Sequence, residues 1–281
     1  MAADMIAMVE SGRLGNQVFQ YLALRSVAQP RERLVLFGFD QLKDTFDGVD
    51  ATFVHIETNP LKHLVSLDYD RVQRIAARLP GIGMIDEDAQ AQPSRGSGSH
   101  IAIARPSWFQ SELTPALSAV ERLQIKPHLV ETAQRFLDDN ELVGSSTAFV
   151  HVRAGDYRTW PSPEHPAILP VDWYLARVLE LRAERPDLAV VAIGDDAEYT
   201  KEVVDSVADA RTFAADYAAE FALMSLCSSG VLSASSFAYW GAYFAKRRTP
   251  EGTFLAPEHW AGHASGSWYP EHIAATFIDY R

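Results

Sequence analysis

From Thr147 onward the chain alternates apolar strands with helical segments, and this alternation constrains the fold more than any other feature of its 281 residues. TAFVHVR reads as a strand, VDWYLARVLELRAERP as a helix, LAVVAIG as a strand and DDAEYTKEVVDSVA as a helix. EFALMSLCSS, GVLSAS and SFAYWGAYFAK continue the series as helix, strand and helix. Such a series specifies βαβ units, because parallel neighbours need a long crossover between them. The first half carries the same signal more faintly. Residues 5–9 form a short apolar run that ends at Glu10-Ser11-Gly12, and Val18, Tyr21, Leu22 and Arg25 follow at helical spacing. Residues 33–39 and 52–56 are further strand candidates, and residues 66–79 are a helix candidate stopped by Gly81. The polar stretch 90–99 reads as a surface loop, and another helix begins near Pro127. The polar break at residues 140–146 places the expected domain boundary, with domains at 1–143 and 144–281.

Composition narrows the partners. A hydrophobic content of 47% suffices for a sizeable core. The net charge of −12 argues against nucleic acid, which selects a basic face. It does not exclude a phosphate-bearing ligand, since a few local cations and amides hold such groups. The one cysteine, Cys227, permits no internal disulfide and reads as a small buried hydrophobe. The opening residues lack the basic and apolar stretches of a signal peptide, and no run approaches the roughly 18–20 apolar residues of a membrane span. The expectation is a cytoplasmic enzyme, with peripheral association at an inner membrane as its other placement.

Four segments carry chemistry, and three stand where a strand ends and a helix begins, the edge at which open α/β sheets bind ligands. Gly12-Arg13-Leu14-Gly15-Asn16-Gln17 suits a diphosphate, because its glycines permit close backbone approach ahead of a positive helix end. Its plainer reading is a turn with Asn16 as the helix cap. In His151-Val152-Arg153-Ala154-Gly155-Asp156-Tyr157, His151 and Arg153 share one face of a strand, and the guanidinium can grip two phosphate oxygens. The alternative is an Arg153–Asp156 pair that fixes the loop. Gly194-Asp195-Asp196 points to a metal, to ribose and base recognition, or to Asp196 as a helix cap. Ser235 and Ser236 are either caps or hydroxyl donors to phosphate. His259 and His263 lie among Pro257, Gly262 and Gly266, which marks a loop and not a metal-binding helix. Trp160, Pro161 and Pro163 suggest a rigid aromatic loop, set either to pack on an acceptor sugar or to cover the surface.

Taken in order, these segments resemble the α-1,2-fucosyltransferases, glycosyltransferase family 11. GRLGNQVFQY resembles that family's opening, and HVRAGDY resembles its HVRRGDY. WFQSE, residues 108–112, and LMSLCSSGVLSASSFAYWGAYF resemble its two other blocks. The resemblance implies an α/β fold of GT-B type, with two Rossmann-like domains and a nucleotide-sugar cleft between them. The first domain would lie on the acceptor side, and the second would bind the donor. It implies GDP-fucose as donor substrate, no metal or other cofactor, and inversion to an α-1,2-linked product on a galactose-ended acceptor in bacterial-type surface glycan synthesis.

By the same resemblance, Arg153 neutralises the departing diphosphate. Gly12, Arg13, Gly15 and Asn16 face the donor, and Asn16 counts with Arg153 and Asp156 among the catalytic candidates. Ser235, Ser236 and Phe237 contact phosphate and guanosine, Glu220 reads guanine, Asp195 or Asp196 serves ribose or base, and His151 hydrogen-bonds the nucleotide. Asp156 is either the general base or the orienter of Arg153. The departure is Ala154, where the family more often carries a second arginine. That keeps two alternatives open, a transferase of another nucleotide sugar and a binding module without turnover. The acceptor glycan and the oligomeric state are not legible.

Overall fold

The computed structural model describes residues 4–55, 81–95 and 100–281. The helix expected at 66–79 lies outside them. The chain divides into two compact units, Met1–Gln124 and Ile125–Arg281.

The first unit is built on a sheet of β1 (Met5–Val9), β2 (Arg33–Phe37), β3 (Thr52–Val54), β4 (Ile82–Glu87), β5 (Pro93–Arg95) and β6 (Ile101–Ala104). Their order is β3-β2-β1-β6-β4-β5. Every pairing is parallel except β4 with β5. Residues 93–95 thus form a short edge strand inside the stretch expected to be loop. Strand β2 stops at Phe37, short of the expected Phe39, because Gly38 turns the chain at φ 79°. Helix α1 (Leu14–Val27) follows β1, and a short α2 (Asp40–Thr45) follows β2. Ten of the fourteen α1 residues are buried, so its amphipathic spacing understates how deeply it packs.

The second unit repeats the plan more regularly. Its strands are β7 (Thr147–Val152), β8 (Ala189–Gly194), β9 (Arg211–Thr212), β10 (Ser229–Leu232), β11 (Phe254–Ala256) and β12 (Asp279–Tyr280). They lie in the order β9-β8-β7-β10-β11-β12, all parallel. All six residues of β7 are buried, as befits a strand at the centre of a parallel sheet. Helices α3 (Pro127–Asp139), α4 (Val171–Glu184), α5 (Ala197–Ser206), α6 (Tyr217–Leu226) and α7 (Ser236–Arg248) complete the unit. Helix α3 buries Leu129, Ala133 and Leu137 along one stripe, and its Phe136 ring meets Phe213 at 4.6 Å. Helix α3 packs against α6, so it belongs to the second unit although it precedes the expected boundary at residues 143–144. Cys227 closes α6 fully buried, and burial pushes its thiol up to about 12.

Chain order and strand order together define a crevice. In the second sheet the winding reverses once, between β7 and β10, whereas in the first β1 and β6 lie side by side and the chain changes direction twice. The connections leaving the carboxyl ends of β7 and β10 run to opposite sides, the arrangement that leaves a ligand-binding groove in open α/β sheets.

Candidate active site

The β7–β8 register pairs Val152 with Gly194, so the next residues, Arg153 and Asp195, emerge side by side. Arg153 Nη1 lies 2.8 Å from Asp195 Oδ2, and Arg153 Nη2 lies 2.6 Å from Asp156 Oδ1. The other oxygen of Asp195 accepts the Ala154 amide at 2.9 Å. The guanidinium also sits over the Tyr157 ring, 5.3 Å from its centroid. Two carboxylates therefore share one cation, and they differ in freedom: Asp195 is 22% exposed and Asp156 is 60% exposed. Asp195 is the fixed partner and Asp156 the displaceable one. A Cβ on Gly155 would stand 2.8 Å from Asp195 Oδ2, which explains the glycine in this turn. Ala154 is fully buried where the resembling family more often has arginine.

Strand β10 supplies the other wall. Its register places Leu232 beside His151, and the Ser233 amide donates to the His151 carbonyl at 3.1 Å. His151 Nδ1 lies 2.7 Å from Ser233 Oγ, and Tyr157 donates its hydroxyl to the Ala234 carbonyl at 2.7 Å. These bonds tie the Arg153 loop to the start of α7. Ser235 occupies the N-cap position of α7 but makes no side-chain cap bond. Phe237, the second residue of α7, lies 5.6 Å from the His151 ring and 5.5 Å from Phe221. Glu220 immediately precedes Phe221 in the first turn of α6, a helix capped by Asp216 through the amides of Ala218 and Ala219. Arg153, His151, Asp195, Glu220, Ser235, Ser236 and Phe237 thus belong to one neighbourhood at the reversal point of the second sheet.

Burial, and secondarily the Arg153 charge, lowers His151 from its ordinary 6.5 to about 3, so the ring is neutral in the folded protein. The unfolded chain binds that proton more readily between these values. Stability is therefore full above pH 6.5 and falls as pH drops toward 3, by about 1.4 kcal/mol per pH unit. Urea titrations across this range are expected to show that slope, and His151→Gln is expected to flatten it. An unchanged slope in the variant would assign acid lability elsewhere.

Asp196 takes a different part. It caps α5 by accepting the Tyr199 amide at 3.0 Å and pairs with Arg158 at 3.1 Å. Both acids of Gly194-Asp195-Asp196 thus point to protein partners. Among the described residues no group of three or more His, Cys, Asp or Glu side chains is placed to hold a metal ion. His259 and His263 fall in turns, as expected. Likewise among the described residues, no helix is long and apolar enough to cross a membrane.

The first unit holds a second polar turn. Gly12 has φ 96°, and a Cβ there would collide with the Asn16 amide group. This tight turn ends in Arg13, so Arg13 and not Asn16 is the N-cap of α1, and Asn16 falls in the first helical turn. Arg13 is exposed and Gly15 buried. Asn16 Oδ1 accepts from Gln110 Nε2 at 2.7 Å, and Gln20 Nε2 donates to the carbonyls of Ser11 and Ser107 at 2.8 and 3.0 Å. The GRLGNQ and WFQSE segments, 94 residues apart at Asn16 and Gln110, are therefore tied together beyond the carboxyl ends of β1 and β6. Two acids that the motifs do not single out, Glu10 and Glu87, stand in the same region. Glu87 accepts the Phe109 amide at 2.8 Å, and burial raises both Glu10 and Glu87 above the usual carboxylate range. Ser233, the partner of His151, lies in the serine-rich run after β10 and carries no motif signal of its own.

Comparison with known proteins follows the same lines. Residues 108–265 match glycosyl transferase family 11, a span that takes in Gln110, Arg153, Asp195, Glu220 and Ser235. The chain is 26% identical over 247 residues to galactoside alpha-(1,2)-fucosyltransferase 2 of Pongo pygmaeus, covering 83% of this chain and 67% of that protein. It is 24% identical to the galactoside 2-alpha-L-fucosyltransferase Sec1 of Mus musculus, covering 94% and 75%. Among solved structures, it superposes on POFUT1 in complex with GDP with a TM-score of 0.57 at 14% identity, over 90% of this chain and 98% of that one. It superposes on the fucosyltransferase NodZ from Bradyrhizobium with a TM-score of 0.54 at 12% identity, over 86% and 93%. These likenesses identify the fold as GT-B, with an all-parallel sheet in the second α/β unit and a mainly parallel one in the first. With more than half of its length matched, the chain belongs to glycosyltransferase family 11.

Proposed function

We propose that this family 11 member transfers L-fucose from GDP-fucose to a galactose-type hydroxyl, with inversion to an α-1,2 linkage and no essential metal, in the synthesis of a bacterial-type surface glycan. One observation carries the reading: Arg153, a fixed cation, stands at the reversal point of the second sheet beside the start of α7. A helix start and a two-pronged guanidinium together suit a diphosphate. The sugar and the linkage are those of the similar galactoside α-1,2-fucosyltransferases, and GDP is the ligand bound by the similarly folded POFUT1.

In this reaction the acceptor oxygen forms a bond to the anomeric carbon as the bond from that carbon to the diphosphate oxygen breaks. The electron pair leaves with GDP, and Arg153 stabilises the charge that develops there. The acceptor proton passes to Asp156, a partly exposed carboxylate within the same loop. Asp195 serves the donor by holding Arg153. His151, Ser235, Ser236, Phe237 and Glu220 bind the nucleotide, and Asp196 keeps the α5 start in place. The turn of Gly12, Arg13, Gly15 and Asn16 is the proposed donor contact of the first unit.

The direct test is thermal shift with GDP, UDP and ADP. GDP at about 100 times its Kd is expected to stabilise by about 2.7 kcal/mol, with smaller effects from the other two. Equal shifts would reject guanosine selectivity. Incubation of GDP-fucose with a galactoside should then give an α-linked product at a rate that EDTA leaves unchanged. A β-linked product or loss of activity in EDTA would reject inversion or metal independence respectively.

Asp156 yields a sharper expectation, since it competes with a diphosphate for Arg153. Asp156→Asn should bind GDP severalfold more tightly while turnover falls by about 10²-fold. Isothermal titration and initial rates measure the two effects, and unchanged GDP affinity would remove Asp156 from the anion site.

A further inference from the structure

An aromatic column runs outward from Arg153. Tyr157 lies under the guanidinium, Trp160 stacks on Tyr157 at 4.9 Å with planes 29° apart, and Tyr269 meets Trp160 at 5.6 Å. Burial decreases along the column: Tyr157 is 8% exposed, Trp160 half-buried and Tyr269 38% exposed. Tyr269 is one of four large apolar side chains exposed among the described residues, and of the four it is the one linked by ring contacts to the Arg153 loop.

The backbone beneath the column is held in place. The Ala167 amide donates to the Trp160 carbonyl at 2.7 Å, and the Ile168 amide to the Tyr157 carbonyl at 3.1 Å. The Ala261 amide donates to the Tyr269 carbonyl at 3.1 Å, and the Tyr269 amide to His259 at 3.3 Å. A large exposed ring on a fixed backbone loses little entropy on contact, so it is pre-organised for a ligand. Its position names that ligand. Tyr157 and Trp160 follow β7 and Tyr269 follows β11, so the column rises from the same carboxyl edge of the sheet as Arg153. Asp156, 60% exposed, supplies a hydroxyl-accepting oxygen in the same loop. An aromatic face beside a carboxylate matches a pyranose that shows C–H bonds on one face and hydroxyls at its rim. Galactose does so, because its axial O4 leaves the hydrogens of C3, C4 and C5 on one face.

We infer that Tyr269, backed by Trp160, is the platform on which the acceptor's galactose-type ring packs. This rests on the transferase reading above and adds where the acceptor binds. Titration of methyl β-galactoside into the GDP-bound protein, followed by tryptophan fluorescence, tests it. The expected result is saturable binding that weakens about tenfold in Tyr269→Ala and survives in Tyr269→Phe, with GDP affinity and melting temperature unchanged in both. Binding that is absent, or equal in wild type and Tyr269→Ala, would overturn the platform. The two readings fail separately. Tyr269-dependent binding without product from GDP-fucose rejects fucosyl transfer and keeps the platform, whereas product formation with an acceptor KM indifferent to Tyr269 rejects the platform alone.

Discussion

Arg153→Ala is expected to lower kcat with GDP-fucose by about 10³-fold, the scale seen when a positioned charge is removed from where transition-state charge develops. Arg153 is 14% exposed and already oriented by Asp195, so little reorganisation is needed at the moment of bond breaking. Arg153→Lys should recover only a small part, because an ammonium cannot serve Asp195 and a diphosphate with one planar fork. Arg153→Ala also leaves Asp195, 22% exposed, without its cation, at a cost of about 1–3 kcal/mol. The double variant Arg153→Ala/Asp195→Asn separates the two effects: stability returns and activity does not. Initial rates and urea melts measure both, and a single variant within tenfold of wild-type kcat would reject the diphosphate role.

GDP affinity is expected to fall steeply below neutral pH, through Glu220. Burial raises this carboxyl from 4.5 to about 7, against the lowering effect of the Ala215 amide, and the nearby charges of Asp216 and Asp195 push it the same way as burial. To accept the N1 and N2 hydrogens of guanine, Glu220 must be ionised. Binding then carries a deprotonation cost below pH 7, so Kd should rise about tenfold per pH unit, or about 100-fold at pH 5. Glu220→Gln is expected to bind GDP weakly at pH 8 and to lose the pH dependence. Titrations in buffers of different ionisation enthalpy should show proton release by the wild type near pH 6, and a Kd independent of pH would reject the assignment. The stability effect has the opposite sign to that of His151. The folded protein holds the Glu220 proton more tightly than the unfolded chain does, so this contribution is present below pH 4.5 and lost as pH rises to about 7.

Much of the second unit is legible in its letters. The runs that begin at Thr147 become β7, α4, β8, α5, α6, β10 and α7 with ends displaced by only a few residues, because each buries its own apolar pattern. Asp196 is a cap, as its place before a helical run suggests. The compact units divide at residues 124–125, ahead of the polar break. Residues 140–146 look like a linker, yet the helix before them packs on α6, a contact between segments distant in the chain. The plainer reading of the first turn, Asn16 as the helix cap, does not hold: after Gly12 at positive φ the helix already starts at Leu14, with Arg13 in the cap position.

By itself the sequence determined that this is an α/β chain with anion-ready strand ends, and its ordered motifs pointed to family 11. Strand and helix patterns are local, and so survive in one dimension. Only the tertiary structure decided which polar residues work together. Parallel register set Arg153 beside Asp195, strand order opened the crevice between β7 and β10, and a loop more than a hundred residues further on set Tyr269 against Trp160. Pairings of this kind arise from contacts between distant segments, which no local pattern encodes.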